Sequence, residues 1–447
     1  MSLLAALAAA LALALAGGFP FGAAGAVRGW GALPLAFAAG ALSLHLGLAV
    51  ATLAGLAWSP ALVAFALLAS GLAWAALARF RRDSPGWPRP GAWELPALAV
   101  MTAVVLLGAA GWLSQPDFFY HWGLKAGRFL EIGGADYYFL ASPSSWRLHP
   151  DYPLLAPELL LLPSLGRGGF DEAAALAMAA LWIALVPLAL GRALAEAGLD
   201  PPSRGRATAI IALALGGFAI GYGLVGAADP LIALALALAL PPLLAAERTP
   251  ARGWELGLAA ALAAASKLEG VPLAALLVGA DLVTRAARER RFPGLAHLAR
   301  TALPAALVVL PWFGLARAYR LFLETNAGAF DAGRTSAILP ALGATSLHAD
   351  WALFPLALAA LPWLLGRRRL RPAALVLLAQ LGFYLIVYWT GPVDSRFYVL
   401  STFPRLLFHL LPATLALVAI AALGPREAAA SRVAPFAPPP APGESAS

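Results

Sequence analysis

Between residues 3 and 423 the chain is a series of apolar stretches, each roughly 15–25 residues long and divided by short polar breaks. A helix of that length crosses a bilayer, and in lipid only a helix or a closed barrel satisfies every backbone group. The runs lie at 3–20, 33–57, 60–78, 92–113, 172–194, 207–226, 230–246, 255–266, 270–284, 301–318, 351–366, 372–390 and 404–423. They predict an all-α polytopic membrane protein with about 13 transmembrane helices. With 61% hydrophobic and 12% charged residues, the chain cannot cover a water-facing surface, for which about 25% charged residues is usual. The shortest pair, around Lys267 to Gly270, reads as two half-depth helices or one kinked re-entrant element.

The net charge of +8 is topological rather than a nucleic-acid footprint, because the arginines fall in short clusters between apolar runs. Arg79, Arg81 and Arg82; Arg204 and Arg206; Arg248 and Arg252; Arg285, Arg288, Arg290 and Arg291; and Arg367, Arg368, Arg369 and Arg371 share one side if the spans alternate. That side is cytoplasmic by the positive-inside rule. The absence of cysteine excludes disulfides, thiolate catalysis and cysteine metal sites. Leu3–Ala16 has no Lys or Arg before it, which suits an uncleaved first helix better than a secretory signal. The Pro-rich tail, 434–447, has the composition of a disordered segment.

The longest polar interruption, Gln115 to Leu162, concentrates Asp117, His121, Lys125, Arg128, Glu131, Asp136, Arg147, His149 and Asp151. Alternation of the spans puts it on the extracytoplasmic face, with Asp229, Lys267, Glu269, the loop Tyr319–Asp350, Asp394, Arg396 and Arg405. Asp117, His121 and Lys125 are spaced four apart and share one helical face. With Phe118, Phe119, Trp122 and Phe129 on the flanks, the piece reads as a short amphipathic helix in the interface plane, and a second could run from Tyr152 to Leu165. Pro150 and Pro153 bracket Asp151 and should hold it extended.

Each candidate has a functional and a plain structural reading. Asp117 suits a general base facing the aqueous cavity, or an N-cap after Gln115-Pro116. Asp151 suits a positioned second acid, or an Asx-Pro turn. Asp117, His149 and Asp151 offer oxygen and nitrogen donors that Mg²⁺ or Mn²⁺ accepts, but no DxD or tight ligand spacing assigns any residue to a metal. Lys267 and Glu269 suit an anion site with Gly270 letting the backbone approach, or a lysine that snorkels. Arg396 and Arg405 suit bidentate phosphate binding, or anchors at the interface. Asp229, followed by Pro230, reads as a helix N-cap. P-loop, dinucleotide, His-Glu-x-x-His and Gly-x-Ser-x-Gly motifs are absent, so any transferred group must arrive activated in another form.

Four stretches resemble the GT-C superfamily of integral-membrane glycosyltransferases, near the protein O-mannosyltransferase and lipid A aminoarabinose transferase families. They are Asp117-Phe-Phe-Tyr-His-Trp-Gly-Leu-Lys125, His149-Pro-Asp-Tyr-Pro-Leu-Leu155, Ser266-Lys-Leu-Glu-Gly270 and Ser401-Thr-Phe-Pro-Arg-Leu-Leu-Phe-His-Leu-Leu-Pro412. The resemblance implies a catalytic module at 92–318 with an outer loop at 114–171, preceded by three accessory helices in 1–91. A C-terminal part at 319–425 and a disordered tail at 426–447 would follow. It departs from the family in those three leading spans and in a single Asp117 where a paired acidic motif is usual.

The activity implied is inverting transfer of a sugar from a polyprenyl-phosphate donor to a lipid, glycan or protein acceptor. It would take place at the extracytoplasmic face of a bacterial inner membrane. Asp117 would be the base and Asp151 the second acid. His121, Lys125 and His149 would position substrate. Lys267, with Arg396 or Arg405, would hold the departing phosphate, and Glu269 would bind substrate with them. Two rivals stand: a flippase for a lipid-linked saccharide, which would show inverted repeats and mid-membrane charges, and a surface-polysaccharide ligase or polymerase, whose largest loop would come late.

Overall fold

The computed structural model describes residues 1–19, 31–80, 95–112, 114, 116–222, 224–245, 249–321, 328–346, 357–391 and 394–425. Arg81, Arg82, Arg248, Asp350, residues 351–356 of one expected span and the tail 426–447 lie outside these, as do the side chains of Arg79 and Arg147.

In chain order the helices are α1 (Ser2–Ala16), α2 (Ala32–Leu53), α3 (Pro60–Phe80), α4 (Leu95–Ala109), α5 (Gly123–Ile132) and α6 (Tyr137–Ala141). Next come α7 (Leu155–Leu161), α8 (Glu172–Glu196), α9 (Pro201–Tyr222), α10 (Asp229–Leu244), α11 (Pro250–Ser266) and α12 (Gly270–Glu289). The last are α13 (Leu295–Ala318), α14 (Thr335–Ser346), α15 (Leu361–Leu365), α16 (Arg371–Thr390) and α17 (Ser395–Leu423). Among the described residues six helices, α2, α8, α12, α13, α16 and α17, are long and apolar enough to cross a membrane. Helices α1, α3, α4 and α10 are apolar but shorter. Side chains such as Phe65, Val283, Leu310 and Ile386 are exposed on the helices, a surface suited to lipid rather than water.

Helix α10 is the strut of the bundle. All 16 of its residues are buried, and α8, α11 and α17 pack round it. Small Ala alternating with Leu lets those neighbours come close. The turn after α11 is tied to it at Gly270, where a side chain would collide with Ala263 O and with Ile232 of α10. That glycine serves helix packing; it is not the opening for a phosphate that its sequence context suggests. The same turn, Lys267 to Glu269, joins two complete helices of 17 and 20 residues in a hairpin, so neither half-depth helices nor a re-entrant element is present there.

The charged residues collect at the two ends of the strut. Asp229 begins α10, and Arg369 donates to Leu244 O at its far end, as well as to Glu196 O and Ala197 O. At 1.5 Å per residue those ends are about 22 Å apart. At the far end Arg192, Glu196, Arg252 and Glu255 close a ring of four ion pairs at 2.6–2.8 Å. His297 lies beside it, against Asp281 at 2.5 Å.

The long polar segment folds inward. Residues Phe118–Trp122 form a π-helical turn leading into α5. His121, Trp122, Lys125 and Phe129 are buried, whereas Phe119, Tyr120 and Leu124 are exposed. Every residue of α7 is buried too. The second piece is thus enclosed by other helices rather than laid on a surface, while the first buries one side and turns Phe119, Tyr120 and Leu124 outward. Lys125 and Glu158 find their partners inside the bundle, and burial follows those partners, whereas Arg128 and Glu131 pair at the surface. Residues 149–152 make a turn closed by Tyr152 N–H to His149 O at 3.1 Å, not the extended segment that the two prolines suggest.

Candidate active site

The start of the polar segment meets the start of α10. Ser114 and Val225 form a parallel bridge, and Gly226, at φ 98°, lies so close to Phe118 that an added Cβ would be 2.6 Å from its Cβ. A residue with a side chain would be strained there in both backbone and space. This contact brings Asp117 and Asp229 to one guanidinium. Arg405, in the third turn of α17, places Nη1 2.7 Å from Asp117 Oδ2 and Nη2 2.9 Å from Asp229 Oδ2.

Asp229 is the centre of this network. Its carboxylate is fully buried and also holds His409 Nε2 at 2.9 Å and Lys267 Nζ at 3.3 Å. The imidazole is fixed from behind, 2.7 Å from the Tyr384 hydroxyl. Lys267 reaches Glu269 at 3.5 Å, and Glu269 accepts from the Tyr152 hydroxyl at 3.2 Å. Gln380 donates to the backbone carbonyl of Glu269 at 3.1 Å, securing the α11–α12 turn to α16. Buried charges survive only when paired and hydrogen-bonded, and here Asp229 is held by Arg405, Lys267 and His409, while Asp117 pairs with Arg405 and Glu269 with Lys267.

Above this centre lies a nest of rings. His121 stacks on Trp122 at 3.9 Å, His149 stacks on Tyr152 at 4.8 Å, and the two imidazoles are 5.1 Å apart. Lys125 is fully buried, donates to His149 O at 2.8 Å and lies 3.2 Å from His121 Nε2. His149 adopts the left-handed region at φ 45°, costly for a non-glycine residue. Its carbonyl accepts from both Lys125 and Tyr152 N–H, which offsets that cost.

Burial lowers the Lys125 ammonium to about 7, opposed by the Asp151 carboxylate. Burial, followed by the charge of Lys125, lowers His149 to about 4. The same two causes push His121 well below its ordinary value, so both imidazoles are neutral at pH 7. Burial, with Glu269 and Asp151, raises the Tyr152 phenol. Asp151 is 2% exposed, and its carbonyl accepts from Trp312 Nε1 at 3.1 Å.

Eight of the nine candidates therefore converge: Asp117, His121, Lys125, His149, Asp151, Lys267, Glu269 and Arg405. Arg396 does not; it is exposed near the start of α17, more than two helical turns before Arg405. Asp229 is not the cap its Pro230 neighbour suggests, since the N-cap is Ala228 and no side-chain cap bond forms. Lys267 does not snorkel, being 4% exposed and paired inward. Sequence reasoning passes over His409, Tyr384 and Gln380. The available signal was a polar side chain within a membrane-length apolar run, a functional hypothesis by default.

Among the described residues no group of three or more His, Asp or Glu side chains is placed to hold a metal ion. Asp117 and Asp229 instead face one guanidinium. On the outer side of α5 an open groove of about 520 Å³ runs between Phe118, Phe119, Phe139 and Phe170, with Arg128, Glu131 and Glu172 also lining it. The hub can bind an anion through Arg405 and Lys267 while offering Asp117, one-third exposed, as a proton acceptor beside it. No protein-family model, curated protein or solved structure matches this chain.

Proposed function

We propose that the protein is an inverting membrane glycosyltransferase that moves a sugar from a polyprenyl-phosphate donor to an acceptor hydroxyl. The observation that carries this reading is the meeting of Asp117, Asp229, Lys267 and Arg405 in one chain of ion pairs. They come from four distant stretches of sequence and meet at one end of an apolar bundle. That arrangement supplies a general base and two phosphate-binding cations at membrane depth, which is what a lipid-linked donor requires.

In the reaction, Asp117 takes the proton of the acceptor hydroxyl as its oxygen bonds to the anomeric carbon. The bond from that carbon to the phosphate oxygen breaks, and its electron pair leaves with polyprenyl phosphate. Arg405 and Lys267 stabilise the charge that develops on the leaving phosphate. The proton on Asp117 then passes to water. A single displacement inverts the anomeric centre. Neutral His121 and His149, with Lys125 and Tyr152, orient the sugar, and Asp151 keeps Lys125 in place.

We also propose about 13 spans, the six long helices being joined by α1, α3, α4, α9, α10, α11 and the expected run 351–366. The arginine end then lies in the cytoplasm of a bacterial plasma membrane and the Asp229 end outside. The acceptor is a lipid, glycan or protein.

The test is transfer from radiolabelled polyprenyl-phosphate sugars in proteoliposomes, with wild type compared with Asp117→Asn. Loss of transfer by about 10²–10⁴-fold, the usual share of a general base, with donor binding kept, is the expected result. Labelled lipid crossing the bilayer equally in both forms, with no transfer, would replace the enzyme by a flippase.

A further inference from the structure

A cavity of about 90 Å³ opens between α2, α7 and α13, and its lining is divided in two. The outer wall is apolar. Val50 and Leu53 of α2 are each 65% exposed and Leu307 of α13 is 47% exposed, so the mouth gives onto the surface that suits lipid. The floor is polar. His45 Nδ1 meets Glu158 Oε2 at 2.6 Å with both side chains buried, and Tyr137, 7% exposed, lines the cavity with them. Tyr137 is stacked on Tyr319 at 4.7 Å, which fixes its ring. Burial, followed by the Glu158 carboxylate, raises its phenol, which therefore stays a proton donor beside that carboxylate. Among the described residues His45 Nε2, Glu158 Oε1 and the Tyr137 hydroxyl make no hydrogen bond. Buried polar groups are paired as a rule, so three with capacity left at the floor of an apolar cavity mark a place for a polar atom.

Charge and size select the occupant. No described lysine or arginine lines the cavity, so a charge not shared within the His45–Glu158 pair would go uncompensated, and the pair is neutral overall. A phosphate or carboxylate finds no spare positive charge there, and an ammonium no spare negative one. A hydroxyl fits both ways: it accepts from Tyr137 and donates to Glu158 Oε1 or His45 Nε2. The space is smaller than the roughly 150 Å³ cavity that admits benzene, which excludes a sugar ring and leaves room for the end of one unbranched chain. We propose that this cavity is a lateral binding site for a single-chain lipid alcohol, taken from the bilayer hydroxyl first, with His45, Glu158 and Tyr137 as its polar floor. Trp312 lines the cavity and donates to the Asp151 carbonyl at 3.1 Å, so the occupant packs behind the turn that carries His149 and Asp151.

The probe is dodecanol carrying a photoreactive diazirine on its chain, added to the full chain in nanodiscs, with adducts mapped by peptide mass spectrometry. Saturable labelling within 46–53 and 307–315 is expected. Plain dodecanol should displace it, and dodecane or dodecanoate should do so roughly tenfold less well, lacking either the hydroxyl or the neutral head. Tyr137→Phe removes one hydroxyl and leaves the His45–Glu158 pair in place, and it is expected to weaken binding about fivefold, the share of one hydrogen bond. His45→Leu with Glu158→Leu keeps the wall and makes the floor apolar, and a loss of roughly tenfold or more is expected. Monodispersity by size exclusion confirms that each variant is folded.

Labelling that does not saturate, or that is no stronger than on the exposed face of α3 at Phe65, overturns the site. Equal displacement by dodecane, or binding unchanged in both variants, means that only the mouth is engaged and that water holds the floor, which overturns it too. Displacement by dodecanoate as strong as by dodecanol contradicts the neutral floor. None of these readouts depends on whether the protein transfers a sugar.

Discussion

Asp229 shows how a residue's role depends on what the fold brings to it. Its carboxylate compensates Lys267, Arg405 and His409 in a site closed to solvent. Asp229→Asn leaves Lys267 and Arg405 facing a neutral amide, and removing one partner of a buried ionic network costs about 3–5 kcal/mol. Thermal unfolding in detergent, followed by tryptophan fluorescence, is expected to show that loss; a change below about 1 kcal/mol would mark the network as no stronger than a surface pair. Lys125 gives a prediction in pH. Its folded value, lowered by burial to about 7 from 10.5, means that between those limits the unfolded chain binds a proton that the folded chain does not. Stability therefore rises with pH across that window and is lowest below 7. Lys125→Met should raise the melting temperature more at pH 6 than at pH 9, and the reverse order would mean that the lysine is charged and satisfied throughout. The residues of the polar segment were legible because charge in an apolar chain is conspicuous. Asp229 and His409 were not, because a local sequence window sees a Pro-flanked acid and a lone histidine, and only packing shows that they share a bond.

At the scale of elements, the polar segment is held by helices far from it in sequence. His45 of α2 and Glu158 of α7, both buried, pair at 2.6 Å beside a cavity of about 90 Å³ that Tyr137 and Trp312 also line. The N-terminal helices thus reach α7, which directly follows the His149–Tyr152 turn. Glu158→Leu alone should destabilise by about 3–5 kcal/mol, whereas His45→Leu with Glu158→Leu should recover most of that loss. Additive losses in unfolding measurements would show that the two residues act independently. Helix positions were legible from apolar run length, and several boundaries agree within a few residues, as at 172–194 against Glu172–Glu196. The inward turn of α5 and α7 was not. Spacing shows which residues share a face, but it does not say whether that face meets lipid headgroups or other helices, and the partners that decide it include His45 of α2, Trp312 of α13 and Arg405 of α17.

The whole molecule sorts its charges to two ends of an apolar bundle, and the arginine clusters made that sorting legible. A charge that is costly in lipid gathers towards one end of the bundle or pairs with an opposite charge inside it. The chain has no cysteine, so single cysteines can report sidedness without background. Glu131, 70% exposed, and Arg291, 80% exposed, are suitable positions at opposite ends. An impermeant maleimide is expected to label Glu131→Cys from outside intact cells and Arg291→Cys only after lysis.

The central question is whether chemistry occurs at the Asp229 end, and sealed vesicles of known orientation answer it. A radiolabelled polyprenyl-phosphate sugar is incorporated in both leaflets, and a water-soluble acceptor is supplied on one side only. Transfer is expected only when the acceptor shares the side of Glu131, and it should vanish in Asp117→Asn. Transfer from the side of Arg291, or transfer that survives Asp117→Asn, would show that the ion-pair hub is not where the sugar moves.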